Sequence, residues 1–270
     1  AIAAVALQLA EPGAGQVRIK VLAAPINPSD VLTLTGEYGM LPPLPAIGGN
    51  EGVGRVEALG AEVGNLKVGQ MVLLPVGCGT WVSHLNAPAN KLIPLPEADP
   101  QQLAMLTVNP PTASLMLSQF VELKPGDWVI QNAANSGVGS YLIQLAKLRG
   151  FKTINVVRRE SAVAGVEAEG GDVVLVDGPD LAKRVRAATG GADVRLGIDA
   201  VGGESTDHLA ASLCEGGVLV NYGMMSRQPC QVSPASFVFR DVSLRGFWLA
   251  KWFQNASQAE QMKVFGELVQ

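Results

Sequence analysis

The segment most able to do chemistry is a glycine-containing turn at residues 134–139, ANSGVG, which follows the apolar run DWVIQN. A turn between a strand and a helix can bind a pyrophosphate, because the first N–H groups of a helix are unpaired and carry the positive end of the helix dipole. Gly137 and Gly139 let a phosphate approach the backbone. Ala134 and Ser136 occupy the first two glycine positions of the GxGxxG fingerprint. On spacing alone, an ordinary strand-to-helix turn fits equally well.

A pair of arginines follows the next apolar run, in the sequence TINVVRRE. In a dinucleotide-binding fold, the end of the second strand meets the adenosine ribose, with an acid there for NAD and a basic residue for the 2′-phosphate of NADP. Arg158 and Arg159 cannot take the role of the acid, but a guanidinium can bind phosphate with two parallel hydrogen bonds. The alternative is a solvated surface pair. Their position after this turn favours phosphate recognition and NADPH.

Two further segments end predicted strands, where the carboxyl edge of a parallel sheet would line a cofactor cleft. They are Tyr222–Met225 in VLVNYGMM and Phe247–Leu249 in SLRGFWLAKW. Core packing is the alternative interpretation for Phe247 and Trp248, because it explains most aromatic side chains.

Two kinds of hydrophobic pattern along the chain predict the domains that would position these segments. Residues 17–99 contain short β-branched runs separated by glycine and proline, namely VRIKVLAAPI, VGRVEALG, QMVLLP and NKLIPLP, which is typical of a small β-rich domain. From about residue 103, strands alternate with helices, which predicts a parallel α/β sheet of the doubly wound Rossmann type. We predict two domains, 1–105 and 106–270. The predicted strands are Trp128–Gln131, Thr153–Val157, Asp172–Val176, Leu196–Asp199, Gly217–Tyr222 and Val242–Gly246. The predicted helices are Leu106–Leu123, Ser140–Arg149, Asp180–Thr189, Ser205–Leu213 and Gln258–Val269.

Composition excludes several classes of partner. The net charge of −4 gives no general attraction to nucleic acid or to an anionic membrane. Glycine, proline or a charge interrupts every apolar stretch before the roughly 18 residues that a membrane span needs.

The three cysteines are widely spaced without a CxxC pair, so they predict neither a disulfide framework nor a thiolate zinc site, and they favour a reducing compartment. The chain begins at Ala1 without a signal or transit pattern, which is compatible with a trimmed N-terminus.

Residues 27–56 read NPSDVLTLTGEYGMLPPLPAIGGNEGVGRV. Together with QNAANSGVGSYLIQLAK, TINVVRRE, VNYGMM and LRGFWL, this segment resembles the trans-2-enoyl-CoA/ACP reductases of mitochondria and bacteria. These are the zinc-independent 2-enoyl thioester reductases of the medium-chain dehydrogenase/reductase superfamily. The resemblance implies a GroES-like catalytic domain beside the Rossmann domain. It also implies NADPH-dependent reduction of enoyl-CoA or enoyl-ACP in fatty acid synthesis, a homodimer, and a location in the mitochondrial matrix or the bacterial cytoplasm.

The resemblance also assigns roles to residues. Tyr38 matches a tyrosine associated with protonation of the substrate α-carbon, after hydride has gone to the β-carbon. The cofactor residues that it implies are Asn109, Asn135, Ser136, Gly137, Val138, Arg158, Arg159, Tyr222, Gly223, Met224, Met225, Phe247, Trp248 and Leu249. Human-type relatives have a basic, acidic, basic triplet after the second strand, whereas this chain has two arginines and then Glu160. Arg158 is therefore the firmer assignment.

Metal ligands are expected to be absent. Zinc-dependent relatives use Cys, His and Glu at the catalytic zinc and four cysteines at a structural zinc, and this sequence has neither set. It has Gly49, Asn50 and Glu51 where those relatives place a histidine before the glutamate. We interpret Glu51 as a structural hydrogen-bond acceptor, and His84 and His208 as surface or boundary residues.

Three questions stay open at this point. A quinone or enone reductase of the same superfamily is an alternative activity, and a protein that binds NADPH without turnover is an alternative of another class. The resemblance further implies that relatives begin about one strand earlier and continue beyond the helix that ends near Gln270. We therefore expect the domain 1–105 to lack its first strand and a C-terminal return segment.

Overall fold

The computed structural model describes residues 2–268, so Ala1, Val269 and Gln270 lie outside the described residues, and with them the predicted end of the last helix. The chain forms two compact units, Ala1–Val108 and Asn109–Gln270. The sequence pattern placed this boundary between residues 105 and 106. None of the described helices is long and apolar enough to cross a membrane.

The first unit contains an antiparallel sheet of five strands in the order β4-β1-β2-β3-β5. Alternation of side chains builds its core, because Val17 and Ile19 of the first strand are fully buried while Lys20 faces solvent. The strands are β1 Gln16–Ala23, β2 Val53–Leu59, β3 Met71–Leu73, β4 His84–Pro88 and β5 Ile93–Pro94, and the helices are α1 Pro28–Thr35 and α2 Pro100–Leu103.

The second unit contains a parallel sheet of six strands in the order β11-β10-β9-β6-β7-β8. Numbered within the unit, this is the Rossmann order 3-2-1-4-5-6, which confirms the predicted doubly wound α/β fold. The strands are β6 Trp128–Gln131, β7 Lys152–Val157, β8 Val173–Val176, β9 Val194–Asp199, β10 Val218–Asn221 and β11 Ser243–Gly246. The helices are α3 Asn109–Gln119, α4 Gly137–Leu148, α5 Val163–Ala168, α6 Leu181–Ala188, α7 Glu204–Ser212, α8 Pro234–Arg240, α9 Leu249–Asn255 and α10 Gln258–Leu268.

Helices cover both faces of this sheet. Adjacent residues of β6 belong to different core clusters, since Val129 packs with Leu142 of α4 whereas Ile130 packs with Leu181 of α6. Strands buried on both faces read as continuous apolar runs, which is why the pattern identified them. The strand order reverses between β6 and β9, and ligands of such sheets bind outside the carboxyl ends of the strands at this switch point.

Some predicted elements were wrong in extent or were missed. The helix predicted from Leu106 begins only at Asn109, where two prolines follow in its first turn, a position that tolerates them. Strand β4 was missed because HLNAP is short and half polar, although its Leu85 and Ala87 are buried. Helix α8 was also missed. It starts at Pro234 after the N-cap Ser233, whose hydroxyl accepts a hydrogen bond from Ala235 N at 3.3 Å.

Candidate functional site

The turn between β6 and α4 has the geometry of a helix N-terminal anion site. Ser136 is the N-cap residue of α4, and its hydroxyl accepts a hydrogen bond from Gly139 N at 3.2 Å. The N–H groups of Gly137 and Val138, at the first two positions of α4, have no acceptor among residues 2–268. These N–H groups and the helix dipole favour a negatively charged ligand at this end of α4.

Gly139 occupies a position of the turn where a side chain cannot fit. A Cβ atom there would lie 2.3 Å from the carbonyl oxygen of Ala134, far inside van der Waals contact. The helix therefore packs directly against the turn that precedes it. This is the role of the third glycine in the dinucleotide fingerprint, and it explains why only this glycine position of the fingerprint is kept.

Two buried amides beneath the turn hold it to the sheet. Gln131 Nε2 donates to the carbonyl oxygen of Gly139 at 3.1 Å and to Asn155 Oδ1 at 2.8 Å. Asn155 Nδ2 in turn donates to Thr153 Oγ1 at 2.9 Å. Neither amide is among the site residues predicted from the sequence. Their signal was a polar residue inside an apolar strand buried on both faces, which requires an internal hydrogen-bond partner.

Arg158 and Arg159 directly follow β7, next to the turn, and both side chains are exposed. Neither guanidinium has a hydrogen bond or ion pair within the described part of the chain. Some other arginines of this unit are engaged, such as Arg240 with the carbonyl oxygens at the end of α7 and Arg184 with Asp180. Two unengaged positive charges therefore lie at the carboxyl edge of the sheet, where they can bind an anion.

The Tyr222–Met225 segment joins the turn through the phenol of Tyr222, which is partly buried. The side chains of Tyr222 and Ser136 are hydrogen-bonded, and burial raises the pKa of Tyr222, so that its hydroxyl stays protonated at neutral pH. Gly223 is held tightly, since a Cβ atom there would lie 2.6 Å from the carbonyl oxygen of Ala200. The side chains of Met224 and Met225 are exposed.

The Phe247–Leu249 segment lies between the edge strand β11 and helix α9. Phe247 N donates to the carbonyl oxygen of Asn221 at 2.9 Å, and the Phe247 ring meets Phe120 edge to face, with centroids 6.1 Å apart. Phe247 thus packs against the hydrophobic core, which was the alternative to cofactor contact in the sequence analysis. Trp248 precedes α9 with its side chain partly exposed, and Leu249 is the first residue of that helix. Asn109 is buried at the start of α3.

In the first unit, Tyr38 lies just beyond the end of α1. Gly36 ends this helix in the left-handed conformation, with φ of 80°. Tyr38 N then donates to the carbonyl oxygen of Leu32 at 3.1 Å, and the tyrosine side chain is half-buried. The position of Tyr38 therefore depends on how the start of α1 is anchored.

A buried polar network anchors that start. Asp30 accepts hydrogen bonds from Asn27 N at 2.7 Å and from Asn50 N and Nδ2 at 3.0 and 2.8 Å. Asn27 Nδ2 donates to Glu51 Oε1 at 2.8 Å. The NPSD and GGNEG segments are thus joined by their own side chains, which gives the spacing of these two motifs a physical reason.

Glu51 is almost fully buried and faces hydrogen-bond donors. Besides Asn27, the hydroxyl and the N–H of Thr107 donate to its Oε2 at 2.7 and 3.1 Å. Burial raises the pKa of Glu51, while these hydrogen bonds act in the opposite direction.

Within residues 2–268, no group of three or more His, Cys, Asp or Glu side chains is placed to hold a metal ion. His84 pairs with Glu57 at 3.2 Å and His208 with Asp177 at 2.8 Å.

Comparison with known proteins gives two family matches. The alcohol dehydrogenase GroES-like domain family matches residues 13–97, and the zinc-binding dehydrogenase family matches residues 137–264. The mitochondrial enoyl-[acyl-carrier-protein] reductase of Rattus norvegicus is 43% identical over 270 residues, covering 97% of this chain and 71% of the relative. The Homo sapiens protein of the same name is 43% identical, covering 93% of this chain and 69% of its own length.

Solved structures give the same picture. The mitochondrial 2-enoyl thioester reductase heterodimer Etr1p/Etr2p from Candida tropicalis matches with a TM-score of 0.87 and 28% identity, over 97% of this chain and 80% of that chain. A complex of Etr1p with NADP and crotonyl-CoA matches with a TM-score of 0.88 and 28% identity, over 96% and 80%. The Escherichia coli quinone oxidoreductase complexed with NADPH matches with a TM-score of 0.83 and 26% identity, over 98% and 82%.

Replacing Gly139 by alanine should lower the free energy of unfolding by about 1–3 kcal/mol, because the new methyl group overlaps the Ala134 carbonyl. Urea denaturation measures the change. Gly165→Ala in α5 is the matched control, since open space surrounds its Cβ position, and it should leave stability unchanged or raise it by up to about 1 kcal/mol. Equal stability of the two variants would show that the helix does not pack on the turn as described.

Thr107→Val should destabilise the protein by about 1.5–3 kcal/mol at neutral pH, because the charged Glu51 loses a buried hydrogen bond. That bond lowers the pKa of Glu51, so its loss raises this pKa further, and the destabilisation should shrink as acidification protonates Glu51. Urea denaturation at several pH values measures the difference.

The control is Thr80→Val, which removes an equally buried hydroxyl that donates to the main-chain oxygen of Glu51 at 2.7 Å. Its acceptor is neutral, so its cost of about 0.5–1.5 kcal/mol should not depend on pH. A pH-independent loss in both variants would contradict an ionised Glu51.

Proposed function

This chain belongs to the family of mitochondrial enoyl-[acyl-carrier-protein] reductases, in the medium-chain dehydrogenase/reductase superfamily, and we propose from this premise how its residues carry out the reaction. It is an NADPH-dependent enzyme that reduces the C2–C3 double bond of trans-2-enoyl thioesters. The structural observation that carries the assignment of residues is the turn at the switch point of the sheet, where free N–H groups of α4 lie beside two unengaged arginines.

The proposed cofactor site begins at this turn. The N–H groups of Gly137 and Val138 bind the pyrophosphate at the positive end of α4, with Asn135 and Ser136 shaping the loop. Arg158 binds the 2′-phosphate of NADPH, with Arg159 beside it. What supports this is that the two residues directly after β7 are arginines rather than an acid, with Glu160 only after them, and that both guanidinium groups are exposed.

The nicotinamide half of the cofactor is proposed to lie along the ends of β10 and β11. The residues proposed to contact it are Asn109, Tyr222, Gly223, Met224, Met225, Phe247, Trp248 and Leu249. The support is positional: the segments that follow β10 and β11 leave the sheet at its carboxyl edge, the edge at which open α/β sheets bind their ligands.

The reaction needs a hydride and a proton. NADPH, when bound, supplies the hydride that goes to C3 of the enoyl thioester. The electron pair of the double bond then moves toward the thioester carbonyl as an enolate, which must be quenched at C2. We propose that the Tyr38 hydroxyl donates this proton or a hydrogen bond to the developing charge, since a phenolic O–H is a hydrogen-bond and proton donor. The network around Asp30 and Glu51 fixes the start of the helix that leads to Tyr38.

Substrate carrier, assembly and location extend this proposal. We propose enoyl-CoA or enoyl-ACP as substrate in fatty acid synthesis, a homodimer as the assembly, and the mitochondrial matrix of a eukaryote or the cytoplasm of a bacterium as the location. Support comes from the relatives, which are named mitochondrial, and from the structural neighbours solved as a heterodimer and with crotonyl-CoA. Quinone reduction is the second candidate activity, because a quinone oxidoreductase has a closely similar fold.

Arg158→Ala should weaken NADPH binding by about 1.5–3 kcal/mol and leave NADH binding unchanged, because only NADPH carries the 2′-phosphate. Fluorescence titration of each cofactor measures the two affinities. Arg186→Ala, an exposed arginine of α6, is the control and should change neither. An equal loss for NADPH and NADH would refute the assignment of Arg158.

Tyr38→Phe should lower kcat for crotonyl-CoA by about 100-fold or more, because the enolate loses its acid. Reduction of a quinone by the same variant should change much less, since quinone oxygens take protons readily from water. Steady-state oxidation of NADPH with each substrate measures the contrast. If the wild-type protein oxidised NADPH with a quinone but not with crotonyl-CoA, quinone reduction would replace the proposed function.

A further inference from the structure

One buried carboxylate joins two of the strand ends from which proposed cofactor residues extend, those of β6 and β10. Asp199 is the last residue of β9, and none of its surface is exposed. Its Oδ1 accepts a hydrogen bond from Asn132 Nδ2 at 2.7 Å, and its Oδ2 accepts one from Asn221 Nδ2 at 3.0 Å. Asn132 leads directly into the phosphate turn, and Asn221 directly precedes Tyr222. The carboxylate thus connects β6, β9 and β10 across the switch point.

The same carboxylate also fixes the segment that follows its own strand. Oδ1 accepts from Val201 N at 2.9 Å and from Gly202 N at 3.0 Å, and Oδ2 accepts from the hydroxyl of Thr206 at 2.7 Å. Every one of these partners donates. A buried charge is tolerated when donors saturate it in this way, and hydrogen bonds to a charged acceptor are the strong ones.

The two amide side chains are locked in orientation by their other bonds. Asn132 Oδ1 accepts from Ala200 N at 2.7 Å, and Asn221 Nδ2 also donates to the carbonyl oxygen of Gly223 at 2.9 Å. Neither amide can turn over without losing a hydrogen bond, which is buried for Asn132 and partly buried for Asn221. Both terminal side-chain atoms of residue 199 must therefore accept hydrogen bonds. An asparagine at this position would replace one of these oxygens by an NH₂ group, which would face other donors.

We propose that Asp199 is a positioning residue for the cofactor site. It sets the phosphate turn and the Tyr222–Met225 segment relative to each other, so that a dinucleotide meets both at once. The proposal rests on the proposed cofactor site, since it assigns Asp199 the task of holding that site's two halves in register. Asp199 is fully buried beneath those segments and acts through Asn132 and Asn221.

The test compares Asp199→Asn with Asp172→Asn. Asp172 lies at the opposite, amino edge of the same sheet, where it accepts hydrogen bonds from Thr153 N at 2.8 Å and from the Thr153 hydroxyl at 3.2 Å. Fluorescence titration gives NADPH and NADH affinities, and hydrogen exchange of the free protein reports the mobility of residues 132–139 and 221–225.

Asp199→Asn should weaken the binding of NADPH and of NADH equally, by about tenfold or more, because the substitution displaces the whole site and leaves Arg158 intact. Exchange should accelerate in both segments before any cofactor is added. Asp172→Asn should change neither property. If Asp199→Asn does not fold, Asn221→Ala removes one donor only, and it should accelerate exchange at 221–225 more than at 132–139.

Other outcomes have distinct meanings. Unchanged exchange in both segments of Asp199→Asn, or faster exchange with unchanged affinities, would overturn the positioning role. A wild-type protein that binds neither cofactor would instead overturn the proposed function, while the exchange data would still decide whether Asp199 holds the two segments together.

Discussion

The 2.7 Å hydrogen bond between Asn132 and Asp199 spans the point where the order of the parallel strands reverses. Chains leaving β6 and β9 must diverge there, because their crossover helices lie on opposite faces of the sheet. Divergence opens a crevice but also exposes strand ends whose polar groups need partners. In this protein, side chains beneath the edge satisfy one another. The N–H groups of Gly137 and Val138, which helix geometry leaves without an intrahelical acceptor, find none elsewhere among the described residues and can bind an anion.

The sheet was predictable, and its polar support was not. Parallel strands buried on both faces produce apolar runs separated by helical periods, so the six strands of the second unit were found within a residue or two of their observed ends. Gln131, Asn155 and Asp199 carry no periodic signal. A single polar residue in an apolar run shows that a partner is needed, yet the partner comes from a distant strand that only the fold brings near.

In the first unit, too, the sequence patterns did not reveal the roles of single polar residues. Tyr38 lies in a loop rich in glycine and proline, and only the resemblance singled it out as a site residue. Glu51 stands where zinc-dependent relatives hold a ligand, and its carboxylate is instead occupied by Asn27 and Thr107. These amide and hydroxyl donors come from segments far apart in the sequence, so no spacing rule predicts that they meet at Glu51.

The most direct test of the assigned chemistry follows the hydride itself. NADPH carrying deuterium at the transferable C4 position is incubated with crotonyl-CoA and the protein, and the position of the label in the butyryl product is read by NMR. NADPH-dependent reduction of the C2–C3 double bond with protonation at the α-carbon predicts deuterium at C3 and a solvent-derived proton at C2. Deuterium at C2, or cofactor oxidation without any labelled butyryl thioester, would contradict it.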